Sequence, residues 1–346
     1  MKRLVSSVCA VGAAAVFLLS PCAPVSAAET GGVPDFDIAV NAPPQVVFIG
    51  DSITAGYGLK DYSPDDKLKC ESFANMLAKE FKAELPPEAE FSYYNEGLDG
   101  RTSGELLELL RSGDLDDKLK DADAVIVSIG GNDMLGTFLD VLSRNNAPMQ
   151  TVSKAANLGR ALDKDLEGFA ENMPLIADEL NARTDGQVFV QTLYNPMETT
   201  AVQIINKLSI EKIGKLNAII RECSEDEKKY KICNVFDEFV GRSNELTNIG
   251  KLDIHPNAEG HKEIAKLIGK TIRKETYYYH DYAAEKKYLK KHNMELEELR
   301  KKQEQEKKER ERRETIKKAA GTAAAGTGGI AVLSVLLIRY GKMKGG

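Results

Sequence analysis

Hydrophobic positions along this chain follow two alternating patterns. Short, nearly unbroken apolar runs at 46–50 (VVFIG), 124–129 (AVIVSI) and 187–193 (QVFVQTL) are bounded by turn residues and predict strands. Weaker runs at 90–94 and 232–236 bring the number of predicted strands to five. Between them, 72–81, 104–110, 158–180, 201–220 and 258–272 repeat apolar residues at helical spacing. Strands that are apolar throughout and separated by helices predict a parallel sheet covered on both faces. Ligand sites in such sheets lie beyond the carboxyl ends of the strands.

Both ends of the chain depart from this alternation. Lys2 and Arg3, an apolar stretch over 4–19 and the small residues Val25, Ser26 and Ala27 read as an export signal over 1–27, cleaved after Ala27 or Ala28. The competing reading, a retained anchor, is opposed by Pro21 and Pro24, which interrupt the run before it reaches spanning length. Near the other end, 319–338 is free of charge and long enough as a helix to cross a hydrocarbon core of about 30 Å. Gly321, Ala325 and Gly329 recur every four residues there, a face suited to close helix packing and self-association. The expectation is a transmembrane helix at 319–338 with a cytoplasmic tail at 339–346. Residues 304–318 carry more Lys and Arg than that tail and argue for the opposite orientation. The signal is given more weight, because the first hydrophobic segment usually sets topology.

These ends define the expected domains: a linker over 28–43, one domain over 44–276 and a charged stalk over 277–318. Glu304/Lys308, Glu306/Arg310, Glu309/Arg313 and Glu314/Lys318 are i,i+4 pairs in the favourable order, which suggests a solvated single helix. A disordered stalk is the competing reading, since charge-rich segments without a core can stay unfolded.

Composition narrows the function. The chain has 346 residues, of which 42% are hydrophobic and 29% charged, a globular make-up. The net charge is −6, yet both ends are basic, so the central domain is strongly acidic and nucleic acid is not an expected partner. In the mature chain Cys70, Cys223 and Cys233 remain. Cys223 and Cys233 flank a charged loop and could pair in an oxidising compartment, which spacing alone does not decide. No cluster of Cys and His has metal-site spacing.

Four polar clusters follow the predicted strands. They are Gly50-Asp51-Ser52, the stretch from Asn95 to Thr102, Gly131-Asn132-Asp133, and Asp253-Ile254-His255-Pro256. Together they supply the parts of an acyl-transfer site. A Ser hydroxyl needs a base within hydrogen-bond reach, and the tetrahedral intermediate needs preorganised donors from backbone N–H groups or an Asn amide. Asp51 and Asp133 are expected to hold their loops through backbone hydrogen bonds. Thr102 with Glu105 fits a capping box. Asn195-Pro196 reads as a turn, His261 as a packing or surface residue, and His280 and His292 as solvated stalk residues. Ser52 standing alone would read as a helix cap.

Gly50-Asp51-Ser52-Ile53-Thr54-Ala55-Gly56-Tyr57-Gly58-Leu59, Gly100 within Leu98-Asp99-Gly100-Arg101-Thr102, Gly131-Asn132-Asp133 and His255-Pro256-Asn257 resemble, in order, the four blocks of the SGNH (GDSL) hydrolase family. The resemblance covers about two-thirds of the chain and implies a three-layer α/β/α sandwich with a five-stranded parallel sheet. It implies Ser52 as nucleophile, His255 as general base, and Ser52 N–H, Gly100 N–H and Asn132 Nδ2 as oxyanion donors, with no cofactor. The family places its orienting Asp three residues before the His, where this chain has Leu252; its acid is Asp253, two before. In an extended segment i and i−2 point the same way, so Asp253 could still reach Nδ1; the alternative is a Ser-His dyad. The expected function is an exported, membrane-anchored serine esterase with its domain outside the cell, acting on short-acyl or O-acetyl glycan esters or on lysophospholipid and other lipid esters. The alternative is a non-catalytic surface binding module on the same scaffold.

Overall fold

In the computed structural model, residues 34–144, 152–227, 229–291, 305 and 307–316 are described. The segments expected to be the export signal, the transmembrane helix and the cytoplasmic tail, and His292, lie outside them. Among the described residues no helix is long and apolar enough to cross a membrane. The chain divides into two compact units after His280.

The first unit opens with β1 (Asp37–Val40) and β2 (Gln45–Gly50), then the single turn α1 (Ser52–Ala55) and α2 (Phe73–Glu84). Next come β3 (Ser92–Gly97), α3 (Ser103–Ser112), α4 (Asp116–Leu119), β4 (Ala124–Ser128), α5 (Gly131–Arg144) and α6 (Val152–Arg183). The unit closes with β5 (Gln187–Gln191), α7 (Gln203–Glu227), β6 (Lys231–Cys233), α8 (Val235–Phe239), α9 (Ser243–Leu246), α10 (Ala258–Ile272) and β7 (Tyr277–His280). The second unit contains α11 (Tyr282–Lys291) and a helical stretch at 307–316.

Five strands form one parallel sheet in the order β3-β2-β4-β5-β6. The helices divide into two packed groups, α2 with α10 and α3 through α6 to α5 and α7. Their sheet-facing side chains make the α/β core expected from the sequence. Val46, Val47, Phe48 and Ile49 of β2 and Val125 and Val127 of β4 have no accessible surface. Burying an aliphatic or aromatic side chain this way contributes about 1.5–3 kcal/mol each. The edge strands read weakly for a physical reason. β3 carries the half-buried Ser92, Tyr93 and Tyr94, and β6 is three residues long.

Several boundaries differ from the sequence reading. The fifth strand ends at Cys233, and Val235–Phe239 turns into α8, burying Val235 and Phe239 from a helix rather than a strand. Residues 37–40, expected as linker, and 277–280, expected as stalk, pair as an antiparallel ribbon from Asp37↔His280 to Val40↔Tyr277. Tyr277 and Tyr279 are buried by this pairing while Tyr278 is exposed, so the tyrosine run packs the end of the domain. His280 belongs to this ribbon rather than to the stalk, and its Nδ1 lies 2.9 Å from Asp37 Oδ1. In the stalk, 307–316 is helical and exposed, and Arg313 pairs with Glu309 at 3.9 Å, one of the expected i,i+4 pairs. Cys70, Cys223 and Cys233 are all thiols, so no disulfide joins Cys223 to Cys233.

The chain runs from β2 outward to β3, then back past β2 to β4. This reversal opens a crevice beyond the carboxyl ends of β2 and β4, where an open parallel sheet binds its ligand. Ser52 follows β2 there, and Asn132 follows β4.

Candidate active site

Ser52 begins the single turn α1, yet it is not the cap of that turn. Asp51 takes that role, its carboxylate accepting from Ile53 N–H at 3.0 Å, which leaves the Ser52 hydroxyl free for other work. The turn is pressed against the edge strand β3. A Cβ on Gly97 would stand 2.8 Å from Ala55 Cα, so only glycine admits this approach. Burial pushes the Asp51 carboxyl up to about 7, against the hydrogen bond from Ile53, with Asp133 nearby adding to the rise.

His255 arrives from the loop between α9 and α10. Its Nε2 lies 2.9 Å from Ser52 Oγ, and its Nδ1 lies 2.5 Å from Asp253 Oδ1. A carboxylate only accepts, so Nδ1 carries the proton, Nε2 is the acceptor and the Ser52 hydroxyl donates to it. The shifted acid therefore does reach the ring. Residues 249–251 form a 3₁₀ turn that ends at Leu252 in the left-handed region, φ +60°, leaving Leu252 93% exposed. Asp253 then faces inward, and the same Oδ1 accepts from His255 N–H at 3.1 Å. Leu252, at the position where the family carries its acid, points to solvent.

The remaining predicted residues surround this pair. Asn132 is the second residue of α5 and its Nδ2 donates to Arg101 O at 3.1 Å. Asp133 accepts from Ser103 N–H at 3.0 and 3.2 Å and from the Ser103 hydroxyl, and burial raises its pKa. Gly100 has φ +79° and closes a turn in which Arg101 N–H donates to Leu98 O at 3.1 Å. Ser52, Asn132 and His255 open on one shared cavity; Gly100 does not line it and sits in the loop whose Arg101 O accepts from Asn132. The Thr102/Glu105 capping box forms as expected, and Asn195 Oδ1 accepts from Met197 N–H in a turn. His261 is buried in α10, its Nδ1 accepting from Phe73 N–H, and burial drives its pKa down to about 3.

The cavity walls are apolar. Met134, Leu135 and Phe138 from α5, Leu162 from α6, and Leu208 and Ile213 from α7 line it together with Ser52. Sequence periodicity places these residues on helices but does not show which helix faces converge beside the serine. The contacts of three other site residues are likewise not visible in the sequence. The buried Tyr194 hydroxyl donates to Ile254 O at 2.9 Å, holding the base loop, and the Arg101 guanidinium donates to Gly50 O at 3.0 Å and Glu96 O at 2.5 Å. Tyr57 packs its ring 4.6 Å from that of His255. Among the described residues, no group of three or more His, Cys, Asp or Glu is placed to hold a metal ion.

A serine hydrogen-bonded to a histidine at the carboxyl edge of a parallel sheet is an arrangement with known relatives. Residues 48–263 match the GDSL-like lipase/acylhydrolase family, and the chain belongs to it as a carboxylic-ester hydrolase. The chain is 24% identical over 263 residues to the uncharacterized protein YpmR of Bacillus subtilis, covering 76% of this chain and 94% of that protein. It is 21% identical over 224 residues to the spore germination lipase LipC of Bacillus licheniformis, covering 65% and 94%. Similar solved structures include an extracellular lipase from Streptomyces rimosus, with a TM-score of 0.48 at 18% identity, covering 66% of this chain and 98% of that one. Another is the acetylxylan esterase Axe2 from Geobacillus stearothermophilus, with a TM-score of 0.46 at 16% identity, covering 67% and 94%.

Proposed function

We propose that the chain hydrolyses esters of apolar acyl chains with Ser52 as nucleophile, His255 as base and Asp253 as its orienting acid. The observation that carries this reading is the continuity of the Ser52–His255–Asp253 relay with a cavity walled by Met134, Leu135, Phe138, Leu162, Leu208 and Ile213. An acetyl group would leave such walls uncovered, whereas a longer chain buries against them.

In the acylation step Ser52 Oγ bonds to the ester carbonyl carbon while its proton passes to His255 Nε2. The carbonyl oxygen becomes an oxyanion that Ser52 N–H, Gly100 N–H and Asn132 Nδ2 stabilise. Collapse breaks the bond to the alcohol, which leaves with the His255 proton. Water then attacks the acyl-enzyme through the same base and releases the acid. Asp253 keeps the proton on Nδ1 and stabilises the imidazolium that forms in each step.

The test compares p-nitrophenyl octanoate with the acetate, using the purified protein, the Ser52→Ala variant and a fluorophosphonate label. Each buried methylene is worth about 0.8 kcal/mol, so even two give about a tenfold preference in kcat/KM. The expected result is octanoate favoured by at least that factor, with turnover and labelling both lost in Ser52→Ala. A preference for acetate would instead support the O-acetyl glycan ester reading. Folded protein that neither turns over nor labels would leave the binding module.

Export by the 1–27 signal and anchoring through 319–338 belong to the same proposal, and a membrane-held domain would find its acyl esters among lipids. Gly321, Ala325 and Gly329 would give such a helix a face for self-association. Deleting 319–346 should move the protein from the membrane to the soluble fraction; retention on the membrane would overturn the anchor.

A further inference from the structure

We propose that Tyr62 is a positioning residue that sets the direction of the Gly100 N–H; the proposal rests on the reading of that N–H as an oxyanion donor. The residues 98–101 form a turn closed by the hydrogen bond from Arg101 N–H to Leu98 O. Gly100 occupies its third position at φ +79°, and Asp99 at the second has no positive φ, which is the type II form. Type I and type II turns differ by a flip of the central peptide, here the one joining Asp99 to Gly100. That peptide carries the Gly100 N–H. Glycine at the third position is compatible with both forms, and a Cβ there would meet nothing within 4 Å, so neither the residue nor crowding selects the flip.

The selection comes from the segment that follows the nucleophile. The Tyr62 hydroxyl donates to Asp99 Oδ2 at 2.5 Å. The other carboxylate oxygen, Asp99 Oδ1, is buried without a hydrogen-bond partner among the described residues, so Tyr62 supplies the hydrogen bond that anchors this side chain. Side-chain rotamer and backbone ψ are coupled, and a fixed Asp99 carboxylate therefore favours one orientation of the peptide that follows it. Tyr62 is itself placed by contacts on its own side. Its ring meets Tyr57 edge-on at 5.7 Å, and Tyr57 packs against the His255 ring and donates its N–H to Ser52 O at 3.0 Å. Residues 57–62 thereby connect the loop of the oxyanion donor to the nucleophile and the base, three parts that come from separate stretches of the chain.

The experiment uses the full-length protein and follows kcat, KM and the affinity for a trifluoromethyl ketone, which forms a tetrahedral adduct with an activated serine. Tyr62→Phe should lower kcat about tenfold, less than the 10²–10³ of losing an oxyanion donor outright, and weaken the ketone by the same factor with KM unchanged. Asp99→Ala should match it, Asp99→Asn, which keeps an acceptor, should recover most of the rate, and the double variant Tyr62→Phe/Asp99→Ala should be no slower than either single one. Unchanged kcat and ketone affinity in Tyr62→Phe, or a rise in KM alone, would overturn the proposal. Gly100→Ala separates this failure from failure of the donor reading. If Gly100→Ala slows turnover and Tyr62→Phe does not, the donor stands and the latch falls; if neither does, the donor reading itself falls.

Discussion

Ser52 and His255 reach their 2.9 Å contact from regions built in opposite ways. The nucleophile turn is set into the sheet. Asp51 to Ala55 are all buried, Asp51 N–H donates to Ser128 O on the neighbouring strand, and the backbones of Ala55 and Gly97 touch without a side chain between them. The base loop is set against solvent. It is held by discrete hydrogen bonds, Asn248 N–H to His255 O at 2.9 Å, Tyr194 to Ile254 O and Asn257 Nδ2 to Thr247 O at 3.2 Å, with Leu252 fully outside. Packing fixes the attacking atom, and polar contacts fix the group that takes its proton. The first should therefore fail as stability and the second as chemistry.

The largest effect expected from this difference is in the base loop. Asp253→Asn leaves the shape of the loop but removes the carboxylate on Nδ1, and kcat should fall by about 10²- to 10⁴-fold with little change in Tm. Rates near wild type would assign the ring's orientation to other contacts. In the nucleophile turn, Gly97→Ala forces a Cβ onto the backbone of Ala55 and Thr54. It should cost about 1–3 kcal/mol in urea unfolding, together with slower fluorophosphonate labelling. Full stability in that variant would show that the turn can give way.

The two regions should also differ in how protons load them. The Asp51 carboxyl is raised to about 7, so its stabilisation is complete below about pH 4 and is lost as pH rises through 7. His261, in the helix that follows the base loop, is lowered to about 3, so its stabilisation is complete above about pH 6.5 and is lost as pH falls through 3. Between about pH 4 and 6.5 the two slopes are opposite, each about 1.4 kcal/mol per pH unit. Relative to wild type, Asp51→Asn should therefore turn the slope of stability against pH upward in that window, and His261→Gln should turn it downward, as read by denaturant titration at fixed pH. Parallel curves for both variants would refute the assignment. The smallest effect belongs to Leu252→Gly, which relieves the positive φ at the cost of a looser unfolded chain and should change stability by no more than about 1 kcal/mol, in the favourable direction.

The sheet was legible in the sequence where burial acts on both faces of a strand. β2 and β4 are apolar at every position that matters, whereas β6 is too short to leave a pattern and its apolar continuation belongs to α8. The site was legible as far as it sits on strand ends. Gly-Asp-Ser and Gly-Asn-Asp announce themselves by following β2 and β4, and His-Pro-Asn by preceding the helix that Asn257 caps. Asp253 was readable as a candidate only, because its reach depends on the left-handed residue before it, and nothing in the letter Leu at 252 signals φ +60°. The acyl cavity was not legible at all. It arises from three helices meeting, and no helix carries in its own spacing the identity of its neighbours. Tyr62 and Asp99 are 37 residues apart and share no motif, so their contact is a product of the fold.

The ribbon of β1 and β7 brings the entry and the exit of the first unit side by side, with Asp37 opposite His280 at the outer end and Val40 opposite Tyr277 at the inner end. Tension applied through the two flanking segments would load this antiparallel pair from its outer end, one rung after another, in the manner of a zipper rather than in shear. The ribbon would therefore part at low force, and until its last rung opens the five parallel strands that hold Ser52 bear no load. A closed ribbon thus works as a clasp, passing a pull from one flanking segment to the other across its outermost rung instead of through the catalytic sheet.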